Sequence, residues 1–277
     1  MATALTITTW NVLAAPWTSP TFYPDAMDAS VLHRTRRADL VGDGLVGLES
    51  DVMLLQETTP SDLAISCARI PGCEMFAAEN GRELWSNWST PAVPWEPNGT
   101  AIVWRSEAFD DVTTGAVGLS GDGNNATWMR ARHGSSGTRL RLMSVHLDAD
   151  GPELRRLQLS VALAWYAAES GVVDIIAGDC NEDTVGTDLG AMCEMHGFVD
   201  ALNVIGCMDP THPYARPSDD YAPIARLDHV LVRGGLPISG SVIDHGVWDI
   251  DIPGARMEEH LRRTGSDHLP VRVTLGL

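Results

Sequence analysis

The sequence contains no lysine, because all 19 of its basic residues are arginine. Without a lysine amine, Schiff-base catalysis and a Walker-type phosphate loop are both excluded. Cysteine is also scarce: the five cysteines lack the paired spacing of a zinc site and the density of a disulfide framework. The first ten residues lack the basic start and long apolar segment of an export signal. We therefore expect free thiols in a reducing compartment and a cytoplasmic location.

Long apolar runs and excess positive charge are missing as well. No run approaches the roughly 18 residues that cross a bilayer, and no basic amphipathic helix is evident, so no membrane partner is expected. The net charge of -18 argues against a nonspecific grip on duplex nucleic acid, which requires a basic face. A small phosphoester substrate is compatible with this charge, and arginine binds phosphate well. With 44% hydrophobic residues, the 277-residue chain can bury a large core.

The stretch 173–181 contains the first two candidate catalytic residues, and the other candidates are considered in relation to it. Its apolar half predicts a buried strand that ends at Gly178 and presents Asp179 and Asn181 in the following loop. Side chains alternate along extended backbone, so Asp179 and Asn181 face one way and Cys180 the other. The run 51–57 repeats the pattern, since it is a second apolar strand that ends in the acid Glu57. Both strands are expected to present their acids to a single site.

Hairpin strands and helix crossovers alternate along the sequence, which predicts mixed sheets covered by helices. Helices are predicted near 30–48, 152–170 and 187–196, and strands near 3–10, 112–118, 126–133, 138–147 and 226–233. Arg34, Arg36 and Arg37 in the first helix are expected to be solvated, with a substrate contact by one of them as the alternative. Arg139 and Arg141 are expected on an exposed strand face.

Three tryptophans, Trp85, Trp88 and Trp95, lie in a proline-rich connection between residues 79 and 99. They could form a stacking wall for a base or an aromatic leaving group, or they could pin a long loop to the body of the protein. Both interpretations stay open, and Trp95 is a candidate substrate-binding residue.

Polar residues that carry chemistry follow or lie within predicted apolar strands along almost the whole chain. They are Asn11, Glu57, His146, Asp179, Asn181, Asp228, Asp267 and His268. Because these residues extend from position 11 to position 268, any division of the chain into two domains would separate them. We therefore expect residues 1–277 to form a single catalytic domain.

Six short motifs carry these residues in order: Thr9-Trp10-Asn11, Leu55-Gln56-Glu57, Ser144-Val145-His146-Leu147, Gly178-Asp179-Cys180-Asn181, Arg226-Leu227-Asp228-His229 and Ser266-Asp267-His268. In this order they resemble the endonuclease/exonuclease/phosphatase family, which is DNase I-like and exonuclease III-like. The resemblance covers essentially the whole chain. It implies an α/β fold, a four-layer α/β/β/α sandwich of two mixed β-sheets flanked by helices.

The resemblance also implies a role for each motif residue. Glu57 would be the main Mg²⁺ ligand, assisted by Asn11 and Asp267, and Mn²⁺ would substitute. Asp179 would orient or deprotonate the attacking water, while Asn181 and His146 would contact phosphoryl oxygens. His268, oriented by Asp228, would donate to the phosphate as negative charge builds. Both Asp179 and His268 are expected at an open site rather than in the core. Candidate substrate-binding residues are Asn98, Arg155 and Trp95.

Two positions bear on the subfamily. Many DNA-cleaving members carry an acid two residues after the first Asn, where this chain has Leu13. Leu13 and the pattern Arg155-x-x-Gln158 are more similar to the deadenylase and 2',5'-phosphodiesterase branch, although short motifs leave the subfamily open.

The sequence thus predicts a metal-dependent phosphodiesterase or nuclease acting on a nucleic acid end, an oligonucleotide or a nucleotide by in-line water attack. One alternative is a phosphatase or phospholipase-type hydrolase of a phosphoinositide or sphingolipid head group. Another is a catalytically silent binding module, which would usually have lost one of the acids or the histidine. The oligomeric state is left open.

Overall fold

A computed structural model describes residues 3–19, 23, 27–80, 97–120, 123–167, 169–213, 225–250 and 253–277. Two six-stranded sheets form its centre. The first sheet has the strand order β11-β12-β1-β2-β4-β3. Its strands are β1 (Ala4–Asn11), β2 (Val52–Thr58), β3 (Cys73–Glu79), β4 (Gly99–Arg105), β11 (Leu236–Val242) and β12 (Val271–Gly276).

The second sheet has the order β5-β6-β7-β8-β10-β9. Its strands are β5 (Phe109–Gly118), β6 (Asn125–His133), β7 (Arg139–His146), β8 (Val172–Asp179), β9 (Val199–Asp200) and β10 (Asp228–Arg233). Each sheet contains one parallel pair, β1 with β2 and β7 with β8, between antiparallel neighbours. Both sheets are therefore mixed, and the same pairing pattern occurs in each.

The helices of the described residues are α1 (Arg34–Gly47), α2 (Pro60–Cys67), α3 (Pro152–Trp165), α4 (Asp188–Met195), α5 (Ala201–Ile205) and α6 (Pro253–Thr264). α1 and α2 cover the outer face of the first sheet, and α3 and α4 cover that of the second. α5 instead contributes to the apolar core between the sheets, and α6 packs against α1. Val41 and Leu45 of α1 pack on Met53 of the first sheet, and Leu159 of α3 packs on Ile176 of the second. Among the described helices, none is long and apolar enough to cross a membrane.

The main core lies between the sheets. Leu54 and Val273 of the first sheet belong to one apolar cluster with Leu142 and Val230 of the second. Each such side chain contributes roughly 1.5–3 kcal/mol by leaving water. Towards the ends of β2 and β7 the interface becomes polar: Gln56 donates to Ser144 Oγ at 3.0 Å, and Ser144 donates to the Leu55 carbonyl at 3.0 Å. The predicted four-layer α/β/β/α sandwich is confirmed.

Several local expectations need correction. α1 begins at Arg34 after a 3-10 turn over Ala29–Leu32, and α3 ends at Trp165. Arg37 and Arg141 are buried, although both were expected to face solvent. Arg141 is buried because Asp174, its partner in the β7–β8 register, accepts from its guanidinium at 2.6 and 3.0 Å. Trp85, Trp88 and Trp95 lie outside the described residues.

Candidate active site

The carboxyl ends of the two parallel pairs meet at one end of the sandwich. Asn11 ends β1, and its Nδ2 donates to Glu57 Oε1 at 2.9 Å and to Asp179 Oδ2 at 3.0 Å. This one amide therefore joins an acid from each sheet. Glu57 has a φ of 55° where the register of β2 against β4 shifts between Leu55 and Thr58. Such a bulge re-aims a side chain, and positive φ in a non-glycine residue is typical of functional sites.

Asp179 lies at the centre of the site and is only 1% exposed. It follows Gly178, where a Cβ would stand 1.9 Å from the Val145 carbonyl oxygen of the neighbouring strand. Glycine is required there because β7 and β8 approach too closely for a side chain. The Asp179 Oδ2 lies 3.6 Å from Nε2 of His146 and 3.6 Å from Nε2 of His268. Two imidazoles thus face one carboxylate.

His268 is held by Asp228, whose Oδ2 lies 2.8 Å from its Nδ1. Asp228 is fully buried and stands directly opposite Asp179 in the β8–β10 register. The backbone carbonyl of His268 accepts from Trp10 Nε1 at 2.8 Å and from His260 Nε2 at 3.0 Å. Both the ring and the main chain of His268 are therefore fixed.

The charges in this group shift the pKa values in opposite directions. Burial alone would lower the pKa of His268, but the carboxylates of Asp228 and Asp179 raise it well above its usual value. Burial alone would raise the pKa of Asp179, but His268 and His146 lower it below its usual value. These shifts favour the imidazolium form of His268 and the carboxylate form of Asp179.

Asn181 has a φ of 51°, a conformation that asparagine tolerates better than most residues. Its backbone N–H donates to Asp179 Oδ1 at 2.9 Å, and its Nδ2 donates to the Leu147 carbonyl at 2.9 Å. An amide NH₂ carries two donors, so one N–H orients the side chain and the second is available to a ligand.

Glu57 and Asp267 fit a divalent cation. Burial and the neighbouring Asp267 raise the pKa of Glu57, with His146 opposing them, and a cation near both carboxylates would relieve this unfavourable charge. Asp267 Oδ2 accepts from the Tyr23 hydroxyl at 3.1 Å, whereas its buried Oδ1 has no hydrogen-bond partner in the described part of the chain. Carboxylate oxygens are the ligands that Mg²⁺ prefers.

Asn11 acts in this region as a hydrogen-bond donor to two acids, rather than as a metal ligand. As placed, its NH₂ faces the two acids, and its Oδ1 accepts from the Leu13 N–H at 3.0 Å. It bridges Glu57 to Asp179, and direct ligation of a cation by Oδ1 would require the amide to turn.

A second group of potential ligand atoms lies within 4.8 Å of one another, on Asp179, Asp228 and His268. We do not assign a metal there. The Nδ1 of His268 is hydrogen-bonded to Asp228 Oδ2 at 2.8 Å, and its Nε2 faces Asp179 Oδ2 at 3.6 Å, so these ligand atoms already serve one another.

The three predicted substrate-binding residues have different environments. Arg155 donates to Glu182 at 3.1 Å and to the carbonyls of Asp148 and Ala149 at 2.9 and 3.0 Å, so it holds two loops beside Asn181. Asn98 is 1% exposed, and its Nδ2 has no partner among the described residues. Trp95 lies outside them.

Three residues near the centre were not selected from sequence. Tyr23 and Arg37 are buried close to Asp267, and His212 packs edge-on against His268 with ring centroids 4.9 Å apart. Tyr23 and His212 lie in segments without a strand or helix period. Arg37 follows Arg34 and Arg36 in the sequence, and no local pattern shows that Arg37 is the one of the three that is buried.

This arrangement is suited to displacement at phosphorus. A carboxylate lies beside amide donors, an oriented imidazolium can donate to a developing oxyanion, and two further carboxylates can hold a cation. None of these groups is a built nucleophile such as an activated serine or cysteine. Water is the nucleophile that the geometry favours.

Comparison with known proteins agrees with this chemistry. A sequence model of the endonuclease/exonuclease/phosphatase family matches residues 8–268. No curated protein matches the sequence.

Solved structures that resemble the chain include a family protein from Bacteroides thetaiotaomicron, with 17% identity and a TM-score of 0.70 over 99% of this chain and 95% of that one. D. rerio TDP2 complexed with single-strand DNA product has 20% identity and a TM-score of 0.69 over 99% and 100%. A mannosyl-6-phosphatase from Bacteroides thetaiotaomicron has 17% identity and a TM-score of 0.70 over 99% and 100%. At these identities the likeness establishes the fold alone.

Proposed function

Because the chain belongs to the endonuclease/exonuclease/phosphatase family, we propose that it is a Mg²⁺-dependent phosphodiesterase acting on a nucleic acid end, an oligonucleotide or a nucleotide. Family membership itself supports phosphoric ester hydrolysis. The observation that carries the finer proposal is the link from Glu57 through Asn11 to Asp179, with His268 and Asp228 beside it.

Each polar side chain has a role in this proposal. Asp179 orients the attacking water and accepts its proton, since its lowered pKa keeps it ionised. His268, protonated and oriented by Asp228, donates to a phosphoryl oxygen as charge builds there. His146 approaches from the other side of Asp179 at 3.6 Å and contacts another oxygen. Asn181 uses its second N–H in the same way.

Glu57 and Asp267 would hold the metal, with Asn11 bridging from Glu57 to Asp179. A bound Mg²⁺ supplies charge neutralisation for the phosphoryl oxygens. Mn²⁺ accepts the same oxygen ligands and would substitute for it.

The substrate proposal has two supports. The fold resembles that of TDP2, which was solved with a single-strand DNA product. The charge of -18 disfavours a nonspecific grip on duplex and favours a short or single-stranded substrate. Asn98 would contact it through its unpartnered Nδ2, and Arg155 and Trp95 remain proposed contacts.

A phosphomonoesterase is the second candidate. The chain resembles a mannosyl-6-phosphatase as strongly as it resembles TDP2, with TM-scores of 0.70 and 0.69. The same site would serve, because attack on a monoester needs the same water, cation and donors. A phosphatase acting on a phosphoinositide belongs to this alternative, whereas a phospholipase-type hydrolase of a sphingolipid head group would cleave a diester with the same groups.

The deciding experiment compares bis-p-nitrophenyl phosphate with p-nitrophenyl phosphate, followed by single-stranded DNA, RNA and 2',5'-linked oligonucleotides, each with Mg²⁺, Mn²⁺ or EDTA. Preference for the diester, abolished by EDTA, is expected. Turnover of the monoester alone would select the phosphatase. No turnover by folded, metal-loaded protein would select the silent binding module.

Variants test the assignment of roles. Asp179→Asn and His268→Gln should each lower kcat by about 10²–10⁴-fold, which is the usual contribution of a positioned acid or base. Arg132→Gln, an exposed strand residue paired with Asp111, is the matched control and should leave kcat unchanged. Activity retained in either site variant would show that the centre is misassigned.

We also propose that residues 1–277 form one catalytic domain, because the site residues extend from Asn11 to His268. A cytoplasmic location is proposed from the five cysteines, all of which are free.

A further inference from the structure

Arg37 joins the two chain segments that carry the site. It is 4% exposed, and its Nε donates to the Gly265 carbonyl at 2.8 Å. Its Nη2 donates to the carbonyl of Val12 at 3.1 Å and to that of Leu13. We propose that Arg37 is a positioning residue that sets the spacing of the metal-binding carboxylates. This inference rests on the proposed function and adds a residue to its machinery.

The two segments matter because of what they present. The segment after β1 follows Asn11, and its Ala14 N–H donates to Glu57 Oε2 at 2.8 Å. The segment before β12 leads from Gly265 to Asp267 and His268. One guanidinium therefore fixes the backbone beside Glu57 relative to the backbone beside Asp267.

Backbone contact between α1 and Gly265 explains why the geometry is tight. Gly265 has a φ of 80°, and a Cβ there would lie 2.7 Å from the Arg37 carbonyl oxygen. The planar fork of arginine can donate to several carbonyls at once, whereas a lysine ammonium on a flexible stem cannot hold the same geometry.

The cost of burying this cation indicates a specific role. Burial lowers the pKa of Arg37, and the electrostatic effects of the Tyr23 hydroxyl and of the acids Asp267, Asp62 and Glu57 oppose it. Three carbonyl acceptors and nearby acids compensate the buried charge. A purely apolar packing role would not require a guanidinium at this position.

Two effects of removing Arg37 predict opposite signs for metal affinity. Arg37 is a positive charge near Glu57 and Asp267, so electrostatics alone predicts that Arg37→Ala binds Mn²⁺ more tightly. If Arg37 sets the spacing of the carboxylates, the same variant binds Mn²⁺ more weakly. We expect positioning to dominate.

The test titrates Mn²⁺ into metal-free full-length protein and follows free Mn²⁺ by electron paramagnetic resonance. Arg37→Ala should raise the Mn²⁺ Kd at least about tenfold, and Arg37→Lys should lie between it and wild type. Arg36→Ala is the matched control, because Arg36 is the neighbouring arginine of α1 and donates to the Arg262 carbonyl at 3.3 Å. Its Kd should stay within about twofold of wild type.

Chemical rescue separates positioning from loss of fold. Arg37 lines the cleft between α1 and α2 that also reaches Glu57, so free guanidinium at low millimolar concentration can enter the space left in Arg37→Ala. Partial recovery of Mn²⁺ affinity is expected there and not in Arg36→Ala. If Arg37→Ala does not fold, Arg37→Lys and Gly265→Ala decide, since both disturb the same spacing.

An unchanged or tighter Mn²⁺ Kd in folded Arg37→Ala would overturn the inference. Bis-p-nitrophenyl phosphate hydrolysis is assayed in parallel. Normal hydrolysis by wild type with no effect of Arg37 on Mn²⁺ rejects this inference alone. A wild type that neither binds Mn²⁺ nor hydrolyses the ester rejects the proposed function and this inference together.

Discussion

The main chain of His268 depends on a buried neutral histidine. His260 donates from Nε2 to the His268 carbonyl, while its Nδ1 is buried with no partner among the described residues. A proton on Nδ1 would therefore place an unpaired charge in the core. Burial lowers the pKa of His260 to about 4.

This lowered pKa predicts acid sensitivity. Because the folded state resists protonation of His260, neutral His260 contributes fully to the free energy of unfolding above the ordinary histidine pKa of about 6.5. This contribution is lost as the pH falls towards 4. The loss should reach roughly 3 kcal/mol at 1.36 kcal/mol per pKa unit. Urea unfolding from pH 4 to 8 should show a smaller acid-side loss in His260→Gln than in wild type. Equal pH dependence would contradict the assignment, and His196→Gln, an exposed histidine, is the control.

The identities of the site residues at strand ends could be predicted because acids after apolar runs are unusual and because six motifs occur in order. The solvent exposure of these residues could not be predicted. Asp179 and His268 were expected at an open site, yet they are 1% and 6% exposed. Substituting them will therefore disturb stability as well as activity. Exposure depends on the loops that pack over a site, and no local pattern records that packing.

At the scale of elements, the closeness of β7 and β8 fixes Asp179. Gly178→Ala would place a methyl group 1.9 Å from the Val145 carbonyl oxygen, so one strand must move. A loss of more than about 3 kcal/mol is expected, at or above the usual cost of overpacking. Gly171→Ala is the control, because Gly171 also has positive φ but has nothing within 4 Å, and it should cost only about 1 kcal/mol. Chemical denaturation measures both, and similar costs would contradict the steric argument.

A network of ion pairs crosses three neighbouring strands of the second sheet. Asp174 on β8 accepts from Arg141 on β7 at 2.6 Å and from Arg233 on β10 at 2.6 Å. Among the described residues, Asp174→Ala leaves the buried Arg141 guanidinium with only the more distant Glu169 carboxylate, at 3.7 Å, and the loss of such a buried partner costs about 3–5 kcal/mol. Asp111→Ala, which breaks the exposed pair with Arg132, should cost less than about 1 kcal/mol. If Asp174→Ala and Asp111→Ala have the same Tm, Asp174 does not stabilise the second sheet as argued.

Elements with a strong period could be predicted from sequence, and weaker ones could not. β2, β8 and α3 combine apolar periodicity with clear boundaries. The partly exposed β3 and β11 and the charged α6 were not identified. Arg141 was expected to be exposed because alternation in a strand does not say which face another layer covers.

For the whole molecule, metal binding should couple to stability. A cation that binds only the folded state adds about 2.7 kcal/mol at a concentration 100-fold above Kd. Mg²⁺ should therefore raise the Tm by several degrees, and Glu57→Gln should lose most of the rise. NaCl at equal ionic strength is the control, because a protein with a charge of -18 also responds to screening. An equal rise in NaCl would argue against a specific site.

Pairing of β1 with β12 has a consequence during synthesis on the ribosome. β1 is made before the other strands of the described residues, yet one of its two neighbours in the sheet is β12, which is made after all of them, with Thr6 opposite Thr274. A nascent chain must hold β1 with one edge open until residues 271–276 leave the exit tunnel. His268 emerges at nearly the same moment, so a ribosome-bound chain stalled before this point should be inactive and should attract chaperones.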